Sequence, residues 1–159
     1  MKTLASPNQA PRQRGVVNLI LIHATAGATL EGAVGWMMNP KSQVSSHYCI
    51  GKVGEVVKLV DESKKAWHAG ASKWDGESNL NEVSVGIELV NLNDGVDPYP
   101  DIQILTLAQL IVEIQKRHPA VQDERIVGHH QVAPGRKTDP GVLFPWVKLG
   151  ALLESLRKS

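Results

Sequence analysis

The run Val16–Ile22 constrains the fold more than any other segment. Its β-branched and leucine-rich side chains give the strand two apolar faces, so both faces must be covered. Such a strand belongs inside a sheet, with other layers packed above and below it. Apart from Asn18 the run is apolar up to His23, which therefore stands where the buried strand emerges. Sites collect at the ends of strands in sheets of this kind.

The rest of the chain supplies the covering layers. Thr29–Met38 predicts a helix, with Thr29 as cap, Leu30, Val34 and Met37 at helical spacing, and Asn39-Pro40 as its stop. Ser46–Lys52 and Val56–Val60 read as two strands joined through Gly54. Residues 61–82 form a long polar connection, and a loop of that length in a compact domain is more often functional than idle. Val83–Asn91 is a further apolar run, and Leu92–Pro100 is rich in turns. Ile104–His118 keeps a 3.6-residue rhythm through Leu105, Ala108, Ile111, Val112 and Gln115 until Pro119 ends it. Arg125–Val127 is a short strand, and Val142–Arg157 predicts a terminal helix with Pro145 near its first turn. The fold class is therefore α/β: one domain, a mixed central sheet flanked by helices. Residues 1–14, polar and proline-containing, form an N-terminal arm, and 15–159 form the domain itself.

Charge excludes one class of partner. With 17 Lys+Arg against 16 Asp+Glu the net charge is +1, without the basic footprint of a nucleic-acid binder. The single cysteine, Cys49, allows no internal disulfide and reads as a small buried apolar residue. The N-terminus lacks the apolar segment of a secretory signal, and no run is long enough to span a membrane. These features lead us to expect a monomer made in a cytoplasm, with no membrane partner.

The loop Gly128-His129-His130-Gln131-Val132-Ala133-Pro134-Gly135-Arg136-Lys137-Thr138-Asp139-Pro140-Gly141 holds the densest chemistry. Two histidines from separate segments, His23 and His129, together with Asp139 suffice for a zinc ion with one position left open. Each has an ordinary role too: a satisfied polar histidine, or an Asp-Pro turn. Their company favours the metal. Adjacent side chains diverge in extended backbone, so only one of His129 and His130 is assigned to it. Lys137, two residues before Asp139, points to the same side in extended chain and suits a developing oxyanion, or is simply solvated. Glu88 sits in the apolar run Ser84–Asn91, where an unpaired carboxylate costs free energy and its pKa rises toward a value useful in acid–base chemistry. A structural salt bridge is the other reading. Trp67, His68 and Ala69 combine an aromatic wall, an imidazole and a turn suited to holding a sugar or peptide, although Trp67 fits a core position equally well.

Taken in order, five segments carry a resemblance. They are Ile22-His23-Ala24-Thr25-Ala26-Gly27, Ser46-His47-Tyr48, Ala66-Trp67-His68-Ala69-Gly70, Gly86-Ile87-Glu88, and Val127-Gly128-His129 through Ala133–Gly141. The chain resembles the zinc-dependent N-acetylmuramoyl-L-alanine amidases of the type-2 amidase family, relatives of peptidoglycan recognition proteins and T7-type lysozymes. The resemblance covers roughly Val16–Trp146. It implies zinc held by His23, His129 and Asp139, Glu88 as catalytic base or acid, and Lys137 stabilising the transition state. The implied reaction cleaves the amide between N-acetylmuramic acid and L-alanine in peptidoglycan or muropeptides. Some relatives carry cysteine at the position of Asp139, and non-catalytic recognition proteins commonly lose that ligand; its retention favours an enzyme over a binding module. One departure is Ala24, where the family often has histidine or tyrosine. The setting implied is either a cytoplasmic recycling enzyme or a phage endolysin released to the cell wall.

Overall fold

A computed structural model describes residues 1–159. In chain order its main elements are β1 (Lys2–Thr3), β2 (Gln9–Pro11), β3 (Leu19–Ala24), α1 (Leu30–Met38), β4 (Tyr48–Ile50), β5 (Val56–Lys58), β6 (Lys64–Ala66), β7 (Lys73–Trp74), β8 (Glu77–Ser78), β9 (Ser84–Leu89), α2 (Asp101–Arg117), β10 (Ile126–Gly128), α3 (His129–Val132) and α4 (Trp146–Lys158). Six strands form one mixed sheet in the order β1-β5-β4-β9-β3-β10. The second half of the apolar run, with His23 and Ala24, becomes β3, an interior strand with all six residues buried, running parallel to β9 on one side and β10 on the other, while Val16 lies before it and is exposed. β4 runs parallel to β9, and β5 turns back antiparallel to β4, as the glycine-joined pair predicts.

Alternation along the strands sorts the two faces. Ile20, Ile22, Val85, Ile87 and Leu89 pack with Ile104, Leu107, Ala108, Ile111 and Ile114 of α2 and with Leu149 and Leu153 of α4. Each such aliphatic side chain contributes about 1.5–3 kcal/mol when fully removed from water. Leu19 and Leu21 face the other way, into a smaller cluster with Ala69, Leu80 and Val127. α1 covers the same side further along, where Met37 packs with Cys49, Val57 and Val90. Cys49 is a buried free thiol.

Several boundaries move for local reasons. α2 begins three residues before the expected Ile104, because Pro100 enters it and Asp101 suits its first turn. α4 starts at Trp146, since Pro145 stands just before it rather than inside. Thr29 caps α1 by accepting from the Gly32 N–H at 3.1 Å. The polar connection 61–82 contains β6, the β7–β8 hairpin and a 3₁₀ turn.

Residues 1–14 are more tightly held than a polar lead-in suggests. β1 extends the sheet beside β5, and β2 pairs with β6. Ser6 and Asn8 are buried, and Arg12 donates to the carbonyls of Glu62, Asn81, Glu82 and Ser84. Hydrogen bonds to backbone anchor this segment, which is why its composition looks like that of a free arm. No helix is long and apolar enough to cross a membrane.

Candidate active site

Three parallel strands deliver the site. His23 is the fifth residue of β3, Glu88 is its register partner on β9, and His129 follows directly on the last residue of β10. Asp139 comes back from the far side of the loop. The His130 N–H donates to the Asp139 carbonyl at 3.0 Å, and the Tyr99 hydroxyl donates to the Pro140 carbonyl at 2.6 Å, fixing that return. A side chain at Gly128 would meet His130 and Pro140 at 2.6–2.8 Å, so only glycine permits this close approach.

His23, His129 and Asp139 are brought together and buried. His23 Nδ1 lies 3.0 Å from His129 Nδ1 and 3.3 Å from Asp139 Oδ2; His129 Nδ1 lies 3.3 Å from Asp139 Oδ1. Tetrahedral zinc with bonds of about 2.0–2.1 Å has ligand-to-ligand edges of roughly 3.3 Å, so these separations fit such an ion. His129 Nε2 faces the Ala69 carbonyl at 3.0 Å. A carbonyl only accepts, so Nε2 bears the proton and Nδ1 presents a lone pair to the centre. Burial lowers the His23 pKa, which keeps its imidazole in the neutral, ligating form.

Glu88 stands beside this cluster with Oε2 buried and without any hydrogen-bond partner. Burial, then the negative charge of Asp139, pushes its carboxyl up to about 8, while the Lys137 ammonium pulls the other way. A carboxyl placed so is poised to exchange a proton near neutral pH. Lys137 is exposed on the rim with its ammonium in no ion pair or hydrogen bond. The salt-bridge alternative for Glu88 is not realised.

These groups line one cleft of about 450 Å³. Its walls differ in character. Ala33, Trp36, Met37, Val44 and Trp67 form an apolar wall, while Asn93, Arg136, Lys137 and Thr138 form a polar, cationic one. Trp67 is half-buried on the cleft, whereas the Ala69 carbonyl is occupied by His129 and by Arg136 at 2.8 Å. His68 lies behind His23, with Nδ1 2.9 Å from His23 Nε2. Ser84 and Trp36 stand in no motif of the sequence, and Arg136 lies in the reactive loop as one more cation beside Lys137. An exposed tryptophan (59% accessible) on α1 is the one signal that could have marked the apolar wall.

The family model for N-acetylmuramoyl-L-alanine amidase matches residues 12–142, which include every residue of the cluster. The chain belongs to the N-acetylmuramoyl-L-alanine amidase family. Among its relatives, the 1,6-anhydro-N-acetylmuramyl-L-alanine amidase AmpD of Enterobacter cloacae is 42% identical over 112 residues, covering 69% of this chain and 57% of the relative. The amidase AmiD of Escherichia coli is 37% identical over 147 residues, 84% of this chain and 52% of AmiD. The chain thus spans between half and three-fifths of the length of these curated relatives. In three dimensions it is similar to a selenomethionine AmpD with a TM-score of 0.83 at 30% identity, covering 96% of this chain and 93% of that one. It is also similar to Escherichia coli AmiD in complex with anhydro-N-acetylmuramic acid-L-Ala-D-gamma-Glu-L-Lys, with a TM-score of 0.79 at 34% identity, covering 90% of this chain and 60% of that one. A mutant endolysin from Bacillus subtilis shares the fold at 20% identity, with a TM-score of 0.72. The α/β class expected from the sequence is thereby established.

Proposed function

We propose that this family member is a zinc-dependent amidase that hydrolyses the bond between N-acetylmuramic acid and L-alanine in muropeptides. The convergence of His23, His129 and Asp139 next to an unpartnered, buried Glu88 carboxylate oxygen carries the reading. A pure binding module has no use for a carboxylate left unpaired at the cost of its desolvation. The relatives' names support the substrate class, and the AmiD complex holds a muropeptide with an anhydro sugar.

In this reading His23, His129 and Asp139 hold the zinc ion. When bound, zinc supplies Lewis acidity, making water nucleophilic near neutral pH and polarising the scissile carbonyl. Glu88 accepts the proton of the attacking water and passes it to the amine of L-alanine as that amine departs. Lys137 extends its ammonium from the rim towards the oxygen on which negative charge develops. Trp67 and the apolar wall take the sugar, and the cationic wall with Arg136 takes the carboxylates of the stem peptide. The anhydro-sugar names of the relatives favour released muropeptides over intact cell wall as the working substrate, and we place their processing in a cytoplasm, by a monomer.

Mass spectrometry of a defined anhydro-N-acetylmuramyl tripeptide after incubation tests the proposal. The expected products are the free sugar acid and an intact peptide with a free L-alanine amine, lost with a chelator and restored by zinc. Cleavage inside the stem peptide, or an untouched substrate with zinc bound, would overturn it. Rates on anhydro and reducing muropeptides and on intact sacculi then assign the substrate.

A further inference from the structure

Tautomeric state decides whether His23 can ligate a metal at all. Neutral imidazole carries one proton, and if it sat on Nδ1 it would hydrogen-bond to Asp139 and block the centre. The nearest partner of Nε2 leaves the question open, because His68 Nδ1 can donate or accept. The answer lies two residues further out. Ser84 Oγ is 2.6 Å from the Leu80 carbonyl and 3.1 Å from His68 Nε2. Its single hydroxyl proton must point at the carbonyl, which cannot donate. Ser84 Oγ can therefore only accept from His68, which places the His68 proton on Nε2 and leaves Nδ1 as an acceptor. His23 must then donate from Nε2, and its Nδ1 lone pair is free.

We infer that Ser84 and His68 are positioning residues: a one-way hydrogen-bond chain from the Leu80 carbonyl that locks His23 in its metal-ligating tautomer. The backbone is shaped for this chain. Ser84 and Gly86 share the face of β9 that carries Glu88, and the His68 ring lies flat against Gly86. A Cβ on Gly86 would come within 2.5 Å of His68 Cγ, so glycine is what lets the imidazole reach both neighbours. The His23 and His68 rings meet edge to face, with centroids 5.0 Å apart. The chain thus orients His23 as well as fixing its proton. It places His68 behind the metal ligand, acting through His23 rather than on substrate.

The inference rests on the metal-site reading, and two measurements separate them. Long-range proton–nitrogen NMR of the zinc-free protein reports the tautomers directly, with His23 and His68 both expected to be protonated on Nε2. Competition with a fluorescent chelator gives zinc affinity. His68→Leu is expected to bind zinc roughly 10- to 100-fold more weakly. His68→Gln, whose amide oxygen accepts from His23 Nε2, is expected to recover most of that loss. Ser84→Ala is expected to give a mixture of His23 tautomers. A proton on His23 Nδ1 in the parent protein overturns the inference, as does equal weakening in His68→Gln and His68→Leu, which marks a packing role only. A parent that shows the expected tautomers but binds no zinc would sink the metal-site reading and leave the chain standing.

Discussion

Replacing Glu62 by glutamine tests how the polar connection is tied to the helical layer. Glu62 Oε1 accepts from the Tyr48 hydroxyl at 2.6 Å and from Arg117 at 2.7 Å; Oε2 accepts from Arg117 at 3.0 Å and lies 2.8 Å from His118 Nε2. The Glu62 side chain is only 9% exposed. Burial alone would raise its pKa, but the donors from Arg117, Tyr48 and His118 outweigh it and bring the carboxyl down to about 2. Against an ordinary value of 4.5, the shift corresponds to about 3 kcal/mol at 1.36 kcal/mol per pKa unit. Arg117 is 47% exposed, and screening of that partner trims the expectation to about 2–3 kcal/mol. The sign follows from a depressed carboxylate. The stabilisation is fully present above the unfolded value of 4.5 and is lost as pH falls towards 2. More than half should be gone at about pH 3. Urea unfolding of parent and Glu62→Gln measures the difference at pH 7 and pH 3, where effects common to both proteins cancel. A difference under about 1 kcal/mol at neutral pH, or one that stays constant down to pH 3, would refute the reasoning.

Three further outcomes are expected. Glu88→Gln and Lys137→Ala should each keep zinc while losing about 10²–10⁴-fold in muropeptide turnover; full activity in either variant removes that residue from the mechanism. Gly86→Ala, by forcing a Cβ against His68, should lower stability by about 1–3 kcal/mol and weaken zinc binding; an unchanged melting temperature with normal zinc affinity contradicts the packing argument. Asn8 Nδ2 sits 2.9–3.3 Å from the carbonyls of Met37, Asn39 and Val44 and so holds the apolar wall of the cleft. Asn8→Ala should cost about 1–3 kcal/mol of stability and raise KM with little change in kcat or zinc affinity; a loss confined to kcat would show that the wall does not depend on Asn8.

What the sequence made legible is what burial makes periodic. The two-faced run before His23 announced an interior strand, Thr29 announced its helix, and the 3.6-residue rhythm announced α2, although its buried face runs through Ile104, Leu107, Ala108, Ile111 and Ile114 rather than Leu105, Val112 and Gln115. The densest loop exposed the candidates around His129 and Asp139, because so many reactive types in so few residues are hard to explain otherwise. Ser84 and Gly86 were harder. They are small and chemically quiet, and they matter only because His68, from a different segment, packs across them. The N-terminal residues were hidden for a related reason. Asn8 and Arg12 are secured by donating to backbone carbonyls of distant segments, an interaction with no periodic trace in the sequence.

The strand Ser84-Val85-Gly86-Ile87-Glu88-Leu89 shows why core and site are specified together. Val85, Ile87 and Leu89 face α2, while Ser84, Gly86 and Glu88 face the side of the His23–His129–Asp139 cluster, in register with Leu19, Leu21 and His23 of β3. A slip of one residue would exchange the faces. Glu88 would then enter the aliphatic layer among Ile104, Leu107 and Ile111 without a partner, at a cost of several kcal/mol unless it gave up its charge. The same slip would drive Val85, Ile87 and Leu89 into the space that Ser84 and Gly86 leave for His68, overpacking that face at about 1–3 kcal/mol. The Glu88 carboxyl therefore guards the register that presents it. Because β3, β9 and β10 run parallel, that register also sets where the strand ends fall. The aliphatic core thus brings His23, Glu88 and His129 to one edge of the sheet, and the loop that returns Asp139 has only to close over a geometry the strands already define.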